Sequence, residues 1–243
     1  MRKLSASRGL IEDLVAASRI LALHEVLDAY GHVSARSDKH PERFIMSRSL
    51  APALVTAADL MELDADSEPL RRDRRKGFIE RYIHGEIYRA RPEVMAVVHS
   101  HSASVIPFGI SRTKLRPVYH MGSFLWSGTP LFDIRKVRAE NDLLIRDRAL
   151  GQALAGSLGP CSCVLMRGHG MTVVGDGVPE VVFRAIYTQM NARLQLQATR
   201  LEGPLEFLSD EEGRRATAAN RGTLERPWEL WKKQALSRVP KDR

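Results

Sequence analysis

Cysteines, aromatic residues and long apolar runs are scarce in this sequence, and each shortage argues against a class of protein. The two cysteines, Cys161 and Cys163, stand in "CSCVLM", too close in an extended segment to form a comfortable disulfide. They are typical of small buried strand residues in the reducing cytoplasm. No apolar run approaches the roughly 20 residues of a membrane span. Acidic residues interrupt the apolar part of the N-terminal segment, so we expect a cytoplasmic protein with no signal peptide and no membrane partner.

The charge is basic, but it lacks the arrangement found in nucleic-acid-binding proteins. The 243 residues carry a net charge of +8, and aromatic residues make up 6%. Basic residues are spread along the predicted helices, with a single cluster, "RRDRRK" at 71–76. No zinc-finger spacing and no RNP-like aromatic motif is present. We therefore expect no nucleic-acid partner, and a solvated basic surface that weakly attracts small anionic substrates.

Apolar periodicity and turn residues predict helices that flank a central sheet. Helical patterns cover residues 8–29, 76–92, 137–159 and 177–201. Short strands are predicted at 30–37 and 43–47, in the run that starts at 94, and as a strand–turn–strand unit at 161–175. Capping boxes at Thr56–Asp59 and Ser209–Glu212 mark two further starts, the second opening a helical tail from about residue 209. No repeat or flexible linker divides the chain, so we predict a single α/β domain over residues 1–243.

The stretch "VMAVVHSHSASVIPFG", residues 94–109, combines a buried strand with two histidines. Side chains alternate between the faces of a strand, so His99 and His101 project from the same face, roughly 7 Å apart at the backbone. Two imidazoles in this position can share one metal ion. They are also compatible with ordinary polar residues at the point where a strand leaves the core.

Two further candidates come from other parts of the chain. His169 stands in "MRGHGMTVVG" between Gly168 and Gly170, where the backbone can turn sharply and present the imidazole. Glu80 is predicted on the helix before the histidine strand, with His84 one turn later on the same face. Taken alone, His169 is more typical of a turn histidine between two strands, and Glu80 is more typical of a surface carboxylate. Together, three imidazoles and a carboxylate would form a metal site with positions left for substrate.

The segments "HGEIYRARPEVMAVVHSHSASV" and "LMRGHGMTVVG" closely resemble the class II aldolase/adducin-type family. The family pattern has a carboxylate on a helix, a strand ending in His-x-His, and a later histidine in a Gly-rich turn. Glu80, His99, His101 and His169 fill these positions, and the resemblance covers most of residues 10–200. It implies a three-layer α/β/α fold with a mostly antiparallel sheet, and a homotetramer with active sites between subunits. It also implies a divalent metal on the three histidines, with Glu80 as ligand or acid–base group.

Two motifs depart from the sugar-phosphate aldolases of the family. In "GHVSAR", His32 replaces an asparagine, and "MSRSLAP" offers Ser47, Arg48 and Ser49 instead of a glycine-rich phosphate loop. Such a loop binds phosphate through backbone N–H groups, whereas arginine is a planar fork suited to a carboxylate. These motifs resemble a branch of the family that decarboxylates ring-hydroxylated aromatic dicarboxylates. For Arg48 the alternative is a surface arginine near a turn.

Aldol cleavage and this decarboxylation share one requirement, because each leaves an electron pair on carbon that must be delocalised into an oxygen near a metal ion. A proton donor is also needed. Glu80 is the first choice, since burial can raise a carboxyl pKa, and His84 or His32 could share the role. Arg48 would hold the carboxylate that is not lost. Tyr187, on the long late helix, could reach the substrate, although core packing is the more usual role there.

Three functions fit the sequence. The first is a metal-dependent, non-oxidative decarboxylase of an ortho-hydroxy aromatic dicarboxylate, with 3,4-dihydroxyphthalate converted to protocatechuate as the leading reaction. The second is an aldolase or epimerase acting on a sugar phosphate or hydroxy-acid. The third is a non-enzymatic interaction module like the adducin head domain, which would lack the metal ligands. Zinc, manganese, cobalt and iron all suit three histidine nitrogens.

Overall fold

Seven strands form one sheet in this computed structural model, which describes residues 4–70 and 73–237. The strands are β1 His32–Arg36, β2 Phe44–Ser47, β3 Leu60–Leu63, β4 Ala96–Ser100, β5 Leu131–Phe132, β6 Cys163–Met166 and β7 Gly170–Gly175. Their order is β3-β2-β1-β4-β7-β6-β5. Every neighbouring pair is antiparallel except β5–β6. The expectation of a mostly antiparallel central sheet is therefore confirmed.

Helices cover both faces of the sheet. They are α1 Arg8–Leu23, α2 Arg81–Ala90, α3 Ile106–Ile110, α4 Arg148–Leu158, α5 Val178–Ala198, α6 Asp210–Arg221 and α7 Glu225–Ser237. Helices α1, α5 and α7 bury their apolar sides in one hydrophobic cluster, and α2 and α4 bury theirs in a second cluster across the sheet. This arrangement confirms the predicted three-layer α/β/α fold. No helix within the described part of the chain is both long and apolar enough to cross a bilayer.

Strand alternation decides which polar side chains face α2. On β4, Ala96 and Val98 join the cluster under α1 and α5, whereas Val97 joins the cluster under α2. His99 shares the face of Val97, because residues two apart point the same way. On β1, Val33 faces α1. His32 and Ser34 lie on the opposite face of the strand and therefore face α2. The predicted metal-binding face of β4 therefore opens toward the start of α2.

The structure corrects the predicted starts and ends of several helices. The helix predicted over 8–29 ends at Leu23, because the chain turns there through Glu25, which has a left-handed φ of 57°. The helix predicted from residue 76 begins at Arg81, which leaves Glu80 at the N-cap position rather than within the helix. The helix predicted over 137–159 begins only at Arg148, where the Asp147 side chain caps the backbone N–H of Leu150.

The two predicted capping boxes open segments of different length. Asp59 accepts hydrogen bonds from the backbone and hydroxyl of Thr56, but this box opens a single 3-10 turn before β3. Ser209 and Glu212 form the other box, which opens α6 as expected. Helix α6 packs against the 3-10 segment His120–Ser127 and α7 packs against α1, so both helices of the predicted tail lie on the rest of the fold. The first two residues of the basic cluster 71–76 lie outside the described residues.

Candidate metal centre

Four side chains from three separate parts of the chain converge at one end of the sheet. His99 lies at the end of β4, His101 follows it, His169 occupies the β6–β7 turn, and Glu80 precedes α2. Each offers one ligand atom, and these atoms lie within 4.8 Å of one another. Glu80 and His99 are buried, and the other two are partly buried. The four candidate ligands named from the sequence are therefore brought together.

Glycine allows the β6–β7 turn to approach β4 closely. In the β4–β7 ladder His99 pairs with Thr172, which puts the turn beside the end of β4. A Cβ on Gly170 would lie 2.0 Å from the backbone oxygen of Ser100, which no side chain could accommodate without a shift. Gly168 has a left-handed φ of 64°, which glycine adopts at low cost. These glycines explain why His169 can reach the strand histidines.

The imidazole Nε2 atoms face one another at short range. The Nε2 atom of His101 lies 3.1 Å from that of His99 and 2.9 Å from that of His169. Glu80 Oε2 lies 3.5 Å from His99 Nε2 and 3.4 Å from His169 Nε2. The atoms thus surround a common point, as the ligands of one ion do.

Hydrogen bonds behind the site fix two of the imidazole tautomers. His99 Nδ1 lies 3.1 Å from the carbonyl oxygen of Met171, and His169 Nδ1 lies 2.8 Å from that of Leu143. A carbonyl oxygen can only accept, so Nδ1 carries a hydrogen in both rings, and in the neutral form of each ring Nε2 keeps its lone pair. Facing lone pairs repel, and a cation between them removes the repulsion. The donor set therefore fits a divalent metal, and carbonyl-oriented histidines are usual around metals.

Glu80 is held as a carboxylate. Burial acts to raise its pKa, but hydrogen bonds and charges from the imidazoles of His169 and His99 in their protonated form outweigh this effect, and the pKa lies well below its usual range. The backbone N–H of Ile145 donates to Glu80 Oε1 at 2.9 Å, which leaves Oε2 toward the histidines. The expectation that burial would give Glu80 a raised pKa is therefore wrong in direction, because the neighbouring imidazoles stabilise the charged form.

His32 and His84 lie beside and behind the ligands. His32 pairs with His99 in the β1–β4 ladder, and their ring centroids are 5.2 Å apart. His84 lies beneath His32, with its Nε2 atom 2.6 Å from His32 Nδ1. Burial lowers the pKa of His84 to about 3, so this ring is neutral. Glu80 and His84 are one turn apart as expected, but Glu80 is the N-cap of α2 instead of a residue within the helix.

The residues of "MSRSLAP" lie at the same end of the sheet. Extending the β1–β2 register by two residues places Arg48 opposite His32. His32 pairs with His99 on the next strand, so the backbones of Arg48 and His99 are two strand spacings, or about 10 Å, apart. Arg48 is 39% exposed, and its Nε atom donates to Asp59 Oδ1 at 2.8 Å. Ser47 is buried, whereas Ser49 is exposed. Arg48 is thus near the site and oriented by an acidic partner.

Tyr187 lies in the aromatic part of the cluster under α1 and α5. Its ring centroid is 4.5 Å from that of Phe183, 6.1 Å from that of Trp231 and 6.4 Å from that of Tyr119. Burial raises the pKa of its hydroxyl. These are the contacts of a core residue, and a contact between Tyr187 and substrate stays a prediction.

Sequence reasoning missed the loop that precedes α4 and touches two of the four ligands. Leu143 supplies the carbonyl oxygen that binds His169, and Ile145 supplies the N–H that binds Glu80. Leu143 has a left-handed φ of 68°, which is unusual for a leucine. Both contributions come from the backbone, so no residue type in the sequence signals them.

Comparisons with known proteins match most of the length of this chain. The family model for the class II aldolase and adducin N-terminal domain matches residues 12–196. The decarboxylase tropJ of Talaromyces stipitatus is 41% identical over 91% of this chain and 92% of its own length. A 3,4-dihydroxyphthalate decarboxylase of Terrabacter sp. is 32% identical over 86% of this chain and 87% of its own length.

Among solved structures, L-fuculose 1-phosphate aldolase from Glaciozyma antarctica superposes with a TM-score of 0.75. It covers 93% of this chain and 88% of its own at 21% identity, a likeness that shows the fold alone. The family match spans most of the chain, and the sequence relatives above are decarboxylases. The chain therefore belongs to the class II aldolase and adducin N-terminal domain family, and it is a lyase of the decarboxylase branch.

Proposed function

We propose that this protein is a metal-dependent, non-oxidative decarboxylase of an ortho-hydroxy aromatic dicarboxylate. The observation that carries the proposal is the convergence of three histidine Nε2 atoms and the Glu80 carboxylate on one point. The first substrate to test is 3,4-dihydroxyphthalate, which would give protocatechuate, because relatives of this chain are named for that substrate. A non-enzymatic, adducin-like role is disfavoured because the ligand set is intact.

A divalent cation held by His99, His101 and His169, with Glu80 beside it, would stabilise negative charge on a substrate oxygen. Zinc, manganese, cobalt and iron remain the candidates for this ion. The protein itself has to supply three further things. It has to hold the second carboxylate, move a proton to the ring carbon that loses CO₂, and keep the substrate oxygen in place.

Glu80 is the proposed proton carrier. Because it is ionised, its Oε2 atom can first accept the proton of the ring hydroxyl next to the departing carboxylate. Glu80 then returns that proton to the ring carbon that bears the departing carboxylate. The bond between this carbon and the carboxylate breaks, CO₂ leaves, and the electron pair of the broken bond restores the aromatic ring. The hydroxyl oxygen regains a proton from solvent, so one proton replaces one CO₂. In these steps the Glu80 carboxylate, which has a low pKa, acts first as a base and then as an acid.

Arg48 is the proposed binding group for the carboxylate that stays on the ring. Its Nε atom is occupied by Asp59, and neither Nη atom has a hydrogen-bond partner among the described residues. Two parallel N–H groups match the two oxygens of a carboxylate. Binding there would fix which of the two carboxylates lies at the metal.

The family resemblance also implies a homotetramer with active sites between subunits, and this stays a prediction. Tyr30 supports it, since this aromatic side chain is 69% exposed although its ring lies 6.4 Å from that of the ligand His101. A neighbouring subunit over Tyr30 would close that side of the site. Molecular mass in solution tests the assembly, and a monomeric active enzyme would contradict it.

The test of the function is CO₂ release. Protein reconstituted separately with each candidate metal is incubated with 3,4-dihydroxyphthalate, other hydroxylated phthalates and pyridine dicarboxylates. We expect metal-dependent CO₂ release with an aromatic product that has lost one carboxylate. Cleavage of sugar phosphates, with no CO₂ from any aromatic acid, would instead identify an aldolase.

A further inference from the structure

Four polar side chains form a buried hydrogen-bonded chain between β1 and α2. Tyr88 OH lies 2.7 Å from Ser34 Oγ, and Ser34 Oγ lies 2.7 Å from His84 Nδ1. His84 Nε2 then lies 2.6 Å from His32 Nδ1. His32 and Ser34 are two apart on a strand, and His84 and Tyr88 are four apart on a helix, so each pair lies on one face. The chain ends at His32, beside the metal ligands.

The surroundings of this chain are apolar. Ser34 and His84 have no exposed surface, and His32 and Tyr88 are 5% exposed. Phe44 packs on both His84 and Tyr88, within the hydrophobic cluster under α2. Buried polar groups cost free energy unless all of them are hydrogen-bonded. Apolar residues would fill this space without that cost, so the chain points to a role other than packing.

The hydrogen bonds in the chain have a direction. Burial raises the pKa of the Tyr88 hydroxyl, so it keeps its hydrogen. Among the described residues, Ser34 Oγ is the hydrogen-bond acceptor next to this hydroxyl, so Tyr88 donates to Ser34. Ser34 then donates to His84 Nδ1, which leaves the His84 hydrogen on Nε2, where it is donated to His32 Nδ1. The remaining hydrogen of His32 must therefore be on Nε2.

We propose that Ser34, His84 and Tyr88 are positioning residues that fix His32 as a neutral imidazole with its hydrogen on Nε2, aimed at a substrate oxygen beside the metal. The substrate rests on the proposed function, whereas the tautomer does not. His32 Nε2 has no hydrogen-bond partner among the described residues, and Phe78 packs on the ring at a centroid distance of 4.5 Å. A neutral, preoriented N–H stabilises charge that develops on oxygen without reorganisation. His84, expected from the sequence as a catalytic group, acts here through His32.

The tautomers can be read directly by NMR. In zinc-loaded protein with ¹⁵N-labelled histidine, the imidazole ¹⁵N shifts and one-bond couplings report which nitrogen carries hydrogen. We expect hydrogen on Nε2 and none on Nδ1 in both His32 and His84, assigned with His32→Asn and His84→Asn. A hydrogen on His32 Nδ1 in the wild-type protein would overturn the proposal, whatever the substrate proves to be.

Substitutions within the chain test the cause. Ser34→Ala removes the donor to His84, so we expect mixed tautomers at both rings, with kcat lower by about 10-fold or more and KM and metal content little changed. Ser34→Thr keeps the hydroxyl and should restore both readouts. Tyr88→Phe removes one oxygen atom and should also mix the tautomers. It covers the case in which Ser34→Ala fails to fold.

Matched controls exist elsewhere in the fold. Ser18→Ala removes another buried serine hydroxyl, which donates to the carbonyl of Leu14 in α1. Tyr82→Phe removes a hydroxyl from α2 that donates to Glu68 at the surface. Both controls should leave the tautomers and kcat unchanged. Unchanged tautomers in Ser34→Ala and Tyr88→Phe would reject the proposal, whereas absence of CO₂ release with the expected tautomers would reject only the decarboxylase function.

Discussion

His32 lies directly opposite His99 in the β1–β4 ladder, and the two rings are 5.2 Å apart at their centroids. Their nitrogens are arranged differently. His99 turns Nδ1 to the carbonyl of Met171 and offers Nε2 to a metal, whereas His32 turns Nδ1 to His84. One row of the sheet therefore carries a candidate metal ligand and, next to it, a group suited to substrate. Predictions about the site can be tested separately for metal binding and for turnover.

Loss of one histidine ligand should release metal without unfolding the protein. His99→Ala, His101→Ala and His169→Ala each remove one of few ligands, so we expect metal affinity to fall by at least about 100-fold and turnover to be lost. Metal per chain after gel filtration and the circular dichroism spectrum measure the two effects. The control is His40→Ala, a partly exposed histidine whose Nδ1 atom lies 3.3 Å from Glu42 Oε1. Stoichiometric metal in two of the three variants would contradict the ligand assignment.

Glu80→Gln should separate the proton-carrier role from the ligand role. The amide oxygen can still accept from Ile145, so the side chain should stay in place while its charge and its ability to carry a proton are lost. We expect most of the metal to be retained and kcat to fall by roughly 100-fold or more. Glu93→Gln, at a carboxylate that is 61% exposed and paired with Arg91, is the control. Near-normal turnover would remove Glu80 from the chemistry, and lost metal would make it chiefly a ligand.

Arg48 should matter only for substrates with a second carboxylate. We expect Arg48→Gly to lower kcat/KM for an aromatic dicarboxylate by roughly 100-fold, and Arg48→Lys to lower it less because charge is kept and the fork is lost. Asp59→Asn should give a smaller loss, since Asp59 orients the guanidinium. The same variants are then assayed with an analogue that lacks that carboxylate. Equal losses on both substrates would exclude the proposed contact.

Gly170→Ala should damage both the fold and the site. The added methyl would meet the backbone oxygen of Ser100 at 2.0 Å, so the turn that carries His169 has to move away from β4. We expect a loss of about 2 kcal/mol in stability, equivalent to about 4–8 °C in Tm for a chain of this size, together with weaker metal binding. Gly156→Ala, in α4 with open space around it, should be neutral or stabilising. An unchanged Tm in Gly170→Ala would show that the contact can relax.

The cluster of candidate metal ligands could be predicted from the sequence because each carries its chemistry in its residue type. His99 and His101 follow an apolar strand, His169 lies between glycines, and each pattern predicts its own local structure. Apolar periodicity predicted helices on both sides of a sheet, and the family resemblance implied the three-layer arrangement. Glu80 does lie in this cluster, although its position at the N-cap instead of within the helix was missed, since helix ends depend on caps and tertiary contacts.

The supporting groups could not be predicted from local patterns. Ser34 and Tyr88 are 54 residues apart in sequence and meet only because β1 and α2 pack together. Serine and tyrosine have many other uses, so neither residue type indicates a buried hydrogen-bonded chain. The low pKa of Glu80 likewise depends on imidazoles that reach it from β4 and the β6–β7 turn. Burial alone, which is all that a sequence suggests, predicts the opposite shift.

The loop before α4 connects Glu80 and His169 through its backbone alone. Leu143, in its left-handed conformation, and Ile145 each hold one of these ligands, and the ligands come from different elements. A cation between Glu80 and His169 would therefore also hold this loop against the sheet through these two hydrogen bonds. By mass action, bound metal stabilises the closed loop. The residence time of such an ion would then depend on the opening rate of this loop as well as on its own bonds.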